Sequence, residues 1–131
     1  MILRNITKSV SIQAPVERVF SFLADAANWP RWAVVNVLSV SPAEDGWWQM
    51  QTPNGAARLR IRPDKSSGTL DHDFHSPEAQ WTVPARVVPN GSGSLFTITF
   101  FQPPVFSDDV FDQQTALVDQ ELATLKRLLE V

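Results

Sequence analysis

The spacing of hydrophobic and polar residues predicts a strand followed by two short helices at the start of the chain. Residues 5–13 alternate between apolar and polar side chains, which is typical of a strand with one buried face. Residues 14–25 carry apolar side chains at intervals of three and four, and Pro15 suits the first turn of a helix. Because Pro30 interrupts this pattern, we expect a second short helix within residues 27–33.

Six further strands are predicted in the middle of the chain, each bounded by turn residues. Their ranges are 34–41, 47–52, 56–62, 69–76, 79–88 and 94–102. The short links between them favour hairpins, and therefore an antiparallel sheet. Two orientations remain open for the first of these strands. Its inward residues are either Val35 and Val37 or Asn36, Leu38 and Val40.

The C-terminal part of the chain predicts one long amphipathic helix. Ser107, followed by Asp108 and Asp109, can cap the start of a helix and interact with its positive end. From there to Glu130, one side of the helix is apolar at intervals of four and three, except for one threonine. This stripe consists of Phe111, Thr115, Val118, Leu122, Leu125 and Leu129.

Together these elements predict an α+β fold in a single domain that covers residues 1–131. The order is one strand, two short helices, six strands and one long helix, so the antiparallel sheet would contain about seven strands. A long amphipathic helix must bury its apolar stripe, and the inner face of the sheet is the large apolar surface available. We therefore expect the C-terminal helix to pack across the sheet.

The composition excludes several kinds of chemistry. The chain contains no cysteine, which rules out disulfides, thiolate metal sites and cysteine nucleophiles. Its net charge is −3, and it has no run of lysine and arginine of the kind that nucleic acids require. No apolar run approaches the roughly 18 residues of a transmembrane helix, and the N-terminus lacks the apolar core of a signal peptide. We expect a cytoplasmic protein with no nucleic-acid partner and no membrane insertion.

The densest cluster of titratable residues is the stretch DHDFH, which contains both histidines of the chain. Because successive side chains on a strand point to opposite faces, His72 points inward, whereas Asp71, Asp73 and His75 point outward. Asp73 and His75 could supply two metal ligands, but the sequence offers no third ligand beside them. We therefore expect no metal site.

Hairpin registers give these residues their expected neighbours. A loop at 76–79 places Phe74 opposite Trp81 and His72 opposite Val83. A loop at 63–68 places His72 opposite Leu59, Asp71 opposite Arg60 and Asp73 opposite Arg58. The outward aspartates would then form a solvated ladder of ion pairs with the arginines at 58, 60 and 62. Each such pair contributes about 0.2–1 kcal/mol.

His72 is the residue with the most open role, because it would lie among apolar side chains on the inner face. Burying its ring without a hydrogen-bond partner would cost about 1–3 kcal/mol. Three interpretations remain: a satisfied histidine in a packed core, a polar anchor in a ligand pocket, or a proton carrier in catalysis.

The stretch ITKSVSIQAPVERVFSFLADAANWPRW, residues 6–32, resembles the START-like (SRPBCC) superfamily. The matching positions are Ile12, Ala14, Pro15, Val19, Phe20, Leu23, Asp25, Pro30 and Trp32. The hairpin region 83–104 and the C-terminal helix resemble polyketide cyclase/dehydratase-like members, so the resemblance covers nearly the whole chain. It implies a helix-grip fold, in which a curved antiparallel sheet wraps a long C-terminal helix and leaves an internal cavity.

The predicted wall of this cavity is apolar and aromatic, with His72 and Thr115 as its two polar points. The aromatic content, five Trp and eight Phe but no Tyr, suits an apolar core or an apolar cavity. The candidate ligand-binding residues are Trp32, Trp48, Met50, Leu59, His72, Phe74, Trp81, Val83, Ile98, Phe100, Phe111, Thr115, Val118 and Leu122.

Three functions are compatible with this pattern. The first is binding of a small hydrophobic ligand, lipid-like or aromatic, which His72 or Thr115 would orient. The second is a polyketide cyclase/dehydratase-like enzyme with His72 as general acid or base, although no carboxylate or tyrosine is evident beside it on the inner face. The third is an interaction module similar to chaperone ATPase activators. The sequence leaves open whether the protein is an enzyme; we expect no cofactor, and a monomer or weak homodimer.

Overall fold

The computed structural model describes residues 1–131, which form one long helix packed against a curved antiparallel sheet. The helices are α1 (Val16–Ala24), α2 (Trp29–Trp32) and α3 (Asp108–Leu129), and a 3₁₀ turn at Ala26–Asn28 joins the first two. The strands are β1 (Asn5–Ile12), β2 (Ser39–Pro42), β3 (Trp47–Thr52), β4 (Gly55–Asp64), β5 (Thr69–His75), β6 (Gln80–Val83), β7 (Ala85–Asn90) and β8 (Gly93–Phe101). Their order in the sheet is β1-β8-β7-β5-β4-β3-β2, and β6 also pairs with β5.

The predicted α+β order is confirmed, with eight strands where about seven were expected. The additional strand arises because residues 79–88 form two strands, β6 and β7, which meet at Pro84. Because Pro84 has no N–H to donate, the ladder between β6 and β5 ends there. β6 pairs with β5, whereas β7 pairs with β8 along its whole length.

The strand predicted at 34–41 is wrong in its first half, because β2 begins only at Ser39. The backbone N–H groups of Val35 and Asn36 donate to the Glu121 carboxylate at 3.1 and 3.0 Å, so they cannot take part in a strand ladder. Val37 is buried, whereas Leu38 is 54% exposed. Neither of the two predicted strand orientations therefore describes this segment.

The predicted boundaries of α3 are confirmed. The Ser107 hydroxyl accepts a hydrogen bond from the Val110 N–H at 3.2 Å, which caps the first turn. All six residues of the apolar stripe are buried. Ion pairs from Arg4 to Asp112 and from Lys8 to Asp119 join the flank of α3 to the N-terminal strand region.

The two halves of α3 have different surroundings. Leu125 and Leu129, near the C-terminal end, lie in a hydrophobic core with α1 and the sheet. Other core residues with almost no exposed surface are Ile12, Val19, Leu23, Leu59 and Leu70. The stretch from Phe111 to Val118 borders an internal cavity instead. The core therefore fixes one half of the helix, and the other half is available to form a site.

The register between β4 and β5 differs by two residues from the prediction. The structure pairs Arg60 with Asp73, Ile61 with His72 and Phe74 with Leu59. A shift of two residues keeps every side chain on its predicted face, because strand side chains alternate with a period of two. His72 therefore points inward as predicted, but its cross-strand neighbour on β4 is Ile61 and not Leu59.

This shift occurs because Pro63 does not end β4. The strand continues to Asp64, whose side chain accepts hydrogen bonds from the Ser66 N–H and hydroxyl. Gly68 then closes the turn with φ at +76°, a backbone conformation that glycine adopts without strain. β3 pairs with β4 only as far as Arg60, so Pro63 lies beyond that ladder, where a missing N–H is tolerated.

The outer face of the sheet carries a compact ion cluster and not the predicted solvated ladder. Asp73 is only 6% exposed and accepts hydrogen bonds from Arg60, Arg62 and the Thr82 hydroxyl. Burial raises the pKa of Asp73, but hydrogen bonds from Arg62, Thr82 and Arg60 outweigh burial and lower it to about 2. The expected pair between Asp73 and Arg58 is absent.

The other members of this outer face also have structural partners. Asp71 accepts a hydrogen bond from the Ala85 N–H at 3.0 Å, which helps position the start of β7. The Arg58 guanidinium carbon lies 4.8 Å from the ring centroid of Trp47, and the His75 ring lies 4.3 Å from the same ring. The structure contains no group of three or more His, Cys, Asp or Glu side chains placed to hold a metal ion.

Candidate functional site

A cavity of about 510 Å³ lies between the inner face of the sheet and the N-terminal half of α3. The residues after α2 and the segment after β5 complete its wall, and 17 of its 29 lining residues are hydrophobic. This volume falls within the range of about 300–1,000 Å³ that is typical of small-molecule sites. The cavity implied by the family resemblance is therefore present, and it lies beside the half of α3 that is not packed in the hydrophobic core.

Six aromatic rings follow one another along the cavity wall. In order they are Trp32, Trp29, His72, Phe74, Trp81 and Phe106. Neighbouring ring centroids lie between 4.8 and 6.3 Å apart, most of them in edge-to-face contact. The first three rings are buried, whereas Phe74, Trp81 and Phe106 are half-buried. The series therefore leads from the surface to a deep end formed by His72 and the two tryptophans of α2.

His72 lies at this deep end and is held in one orientation. Its Nδ1 lies 3.0 Å from the carbonyl oxygen of Leu70. Because a carbonyl can only accept a hydrogen bond, Nδ1 carries the proton and Nε2 of the neutral ring bears a lone pair. Burial lowers the pKa of His72 to about 4, against the opposing effect of the bond to Leu70. The ring is therefore neutral at physiological pH, with Nε2 as a hydrogen-bond acceptor.

The two tryptophans of α2 use their indole N–H groups differently. Trp29 donates to the carbonyl oxygen of Leu23 at 2.9 Å, which connects α2 to the end of α1. Trp32 is 2% exposed, lines the cavity, and its Nε1 has no hydrogen-bond partner. A buried N–H without a partner costs about 1–3 kcal/mol. Trp32 therefore contributes its ring to the cavity wall, while its N–H is enclosed by the protein and unpartnered.

Thr115, the other predicted polar point, is satisfied within its own helix. Its hydroxyl donates to the carbonyl oxygen of Phe111 at 2.9 Å, four residues earlier in α3. This back-bond is common for threonine in helices and occupies the hydroxyl proton. Thr115 lines the cavity, but it offers a ligand less than the prediction assumed.

Glu121 is a cavity residue that the sequence analysis missed. It is 4% exposed, and its carboxylate accepts hydrogen bonds from the Val35 N–H, the Asn36 N–H and the Asn36 side-chain amide. Burial raises the pKa of Glu121, while these N–H donors partly oppose that effect. The sequence feature that could have identified Glu121 is its spacing. It lies three residues after Val118 and four before Leu125, which puts it beside the apolar stripe of α3.

Most of the predicted ligand-binding residues line the cavity, and four do not. Those that line it are Trp32, Met50, His72, Phe74, Trp81, Ile98, Phe100, Phe111, Thr115 and Val118. Those that do not are Trp48, Leu59, Val83 and Leu122. Leu59, Val83 and Leu122 are buried in the hydrophobic core, and Trp48 packs against it. Strand parity and helix spacing identify the inward side of an element, but both core and cavity lie on that side.

No helix of the structure is long and apolar enough to span a membrane.

Several solved structures have a similar fold. One is the protein XoxI from Bacillus cereus, with a TM-score of 0.78, 16% identity, and coverage of 97% of this chain and 96% of that chain. A START superfamily protein from Mycobacterium smegmatis is similar with a TM-score of 0.72 and 13% identity, over 96% of this chain and 97% of that chain.

The di-domain ARO/CYC protein BexL from the BE-7585A biosynthetic pathway has a TM-score of 0.73 and 18% identity to the chain. This match covers 95% of this chain and 46% of BexL. At sequence identities of 13–18%, the similarity of these three structures establishes the fold.

The sequence comparisons identify the family. No curated protein sequence matches the chain. Residues 4–130 match the family described as "Polyketide cyclase / dehydrase and lipid transport". The chain therefore has the START-like helix-grip fold and belongs to the polyketide cyclase/dehydrase and lipid transport family.

Proposed function

We propose that the protein binds a small hydrophobic ligand, lipid-like or aromatic, in the cavity between the sheet and α3. The observation that carries the proposal is a cavity of about 510 Å³ with a mainly hydrophobic wall, whose deep end holds the ring of His72 in one orientation. An apolar wall with a few fixed polar groups is typical of small-molecule sites, because burial supplies affinity and the polar groups supply orientation. The family description, which includes lipid transport, agrees with this role.

A second candidate is a cyclase/dehydratase-like enzyme that uses His72, and one observation favours it. His72 and Glu121 are both buried and titratable, and both line the same cavity. With a pKa of about 4, His72 would serve as a base or hydrogen-bond acceptor, because its protonated form is scarce at neutral pH. The experiment that separates the two functions is to extract the bound ligand and add it back to the protein. A carrier would leave the ligand unchanged, whereas an enzyme would convert it.

The cytoplasmic location and the monomeric or weakly dimeric state stay predictions.

Filling the cavity from the sheet side tests the binding function. Ala57 is 7% exposed and lines the cavity, so Ala57→Trp would occupy space that a ligand needs. We expect N-phenyl-1-naphthylamine, an uncharged apolar fluorophore, to bind the parent protein saturably at one site. Its affinity for Ala57→Trp should be at least about tenfold weaker, which corresponds to about 1.4 kcal/mol.

The matched control is Ala123→Trp, which adds the same side chain at an exposed position of α3 that does not line the cavity. This variant should bind the fluorophore as the parent does, and thermal unfolding should show that both variants are folded. Equal affinity of a folded Ala57→Trp variant and the parent would contradict binding in this cavity.

A further inference from the structure

The outer face of the sheet, on the opposite side from the cavity, carries a row of hydrogen-bond donors. The row crosses four neighbouring strands and consists of Gln49 in β3, Arg58 in β4, His75 in β5 and Gln80 in β6. We call these four residues the outer row. Gln49 and Gln80 are exposed, Arg58 and His75 are half-buried, and none of the four lines the cavity. The outer row therefore faces solvent and belongs to a different surface from the ligand site.

The outer row carries a positive charge that the fold does not compensate. In the neighbouring row, Asp73 accepts hydrogen bonds from Arg60, Arg62 and the Thr82 hydroxyl, so its charges are paired within the protein. Arg58 takes part in none of the ion pairs of the structure. The outer row also contains no acidic residue, although the net charge of the chain is −3. A negatively charged partner would supply what this row lacks.

Arg58 is held against an aromatic ring in a way that suits it to binding. Its guanidinium carbon lies 4.8 Å from the ring centroid of Trp47, and the His75 ring lies 4.3 Å from the same ring. Nε of Arg58 is enclosed by the protein, so a partner would meet the two terminal amino groups. A stacked guanidinium loses little freedom on binding, and its paired donors match the two oxygens of a carboxylate. Tryptophan and arginine are also enriched among the residues that dominate protein interfaces.

The arrangement of the outer row favours a protein segment over a small molecule. Small-molecule sites are concave and enclose most of their ligand, whereas this row lies on the outer face of a sheet. Its donors stand on adjacent strands about 4.8 Å apart, so they suit a partner that carries several acceptors in a line.

We propose that the outer row is a docking surface for an acidic segment of a partner protein. A carboxylate of that segment binds the amino groups of Arg58, and neighbouring oxygens accept hydrogen bonds from the Gln49 and Gln80 amides. Because these residues lie outside the cavity, the proposal goes beyond the proposed ligand binding and does not depend on it.

Titration of the isotope-labelled protein with unlabelled hexaglutamate, followed by NMR, tests the docking surface. We expect saturable shifts of the Trp47 indole N–H and of the Gln49 and Gln80 side-chain amides, with little change elsewhere. Raising the salt concentration from about 20 mM to about 200 mM should weaken binding several-fold, because the contact is between exposed charges. Hexathymidylate, a polyanion of another class, should bind more weakly than hexaglutamate.

Two arginine variants assign the binding to Arg58. Arg58→Gln removes the charge and the paired donors, and should weaken hexaglutamate at least about threefold. Arg86→Gln is the matched control, because Arg86 is an exposed arginine of β7 outside the outer row. It removes the same charge and should change the affinity less than about twofold. Thermal unfolding would show that both variants are folded.

Each alternative result would overturn the docking surface. Equal weakening by Arg58→Gln and Arg86→Gln would mean that hexaglutamate responds only to net charge. Shifts confined to residues outside the outer row would place the binding elsewhere, and tighter binding of hexathymidylate would contradict an acidic protein segment as the partner. An absence of hexaglutamate binding at low salt would also contradict the proposal, and it would leave the ligand-binding function of the cavity unaffected.

Discussion

The Leu122→Asp variant is expected to lose most of the protein's stability. Leu122 is 4% exposed and lies in the hydrophobic core, although the sequence placed it among the ligand-binding residues. The substitution removes a buried leucine side chain, which by itself costs about 2–5 kcal/mol, and puts a carboxylate without a partner in its place. The total of more than about 4 kcal/mol is a large part of the 5–15 kcal/mol that stabilises a typical domain.

Thermal and urea unfolding followed by circular dichroism measure this loss. Ala123→Asp is the matched control, because Ala123 is the next residue of α3 and is exposed. It should change the free energy of unfolding by no more than about 0.5 kcal/mol. If Leu122→Asp unfolds at the same temperature as Ala123→Asp, the packing of α3 on the sheet is not as described.

The second large effect is a pH-dependent loss of stability caused by His72. Burial lowers the pKa of His72 in the folded protein to about 4, from an ordinary value of about 6.5. Between these values the unfolded chain binds a proton that the folded protein does not, so stability falls as the pH falls. The contribution is fully present above about pH 6.5, and about 3 kcal/mol is lost by pH 4.

Urea unfolding of the parent and of His72→Phe between pH 8 and pH 4 isolates this effect. Phenylalanine keeps a ring between Trp29 and Phe74 but does not titrate, so the variant should lose less stability than the parent on acidification. Asp73 acts in a lower window, because its pKa is lowered to about 2 and its contribution is lost as the pH falls below about 3.8. Glu121 has a raised pKa and acts with the opposite sign, but both proteins contain it. Parallel pH profiles would show that His72 is not held neutral in the interior.

The sequence predicted correctly the features that depend on the local spacing of hydrophobic and polar residues. The capped start of α3, its buried stripe and the inward face of β5 all follow from spacing, and the structure confirms them. The pairing of Phe74 with Trp81 was also predicted correctly, because the loop between β5 and β6 is short. The β4–β5 register was wrong by two residues, since Pro63 was assumed to end a strand that in fact continues through it.

The site could be predicted less well than the fold, for physical reasons. Periodicity distinguishes inside from outside, but it cannot distinguish Leu122 in the core from Val118 at the cavity, which are one turn apart on the same stripe. Glu121 was overlooked because a charged residue is rarely buried unless it has partners, and its partners lie some 85 residues away in sequence. The unused N–H of Trp32 depends on which carbonyl groups surround it, and spacing holds no information about that.

The central claim is that the cavity holds a small hydrophobic ligand, and native mass spectrometry of freshly purified protein tests it most directly. We predict a stoichiometric noncovalent adduct on the parent, released by organic solvent as an uncharged apolar molecule and missing from Ala57→Trp. If the parent lacks an adduct as purified, incubation with a total organic extract of the source cells should supply one. A parent protein that carries no adduct from cells and takes up none from the extract would contradict the account.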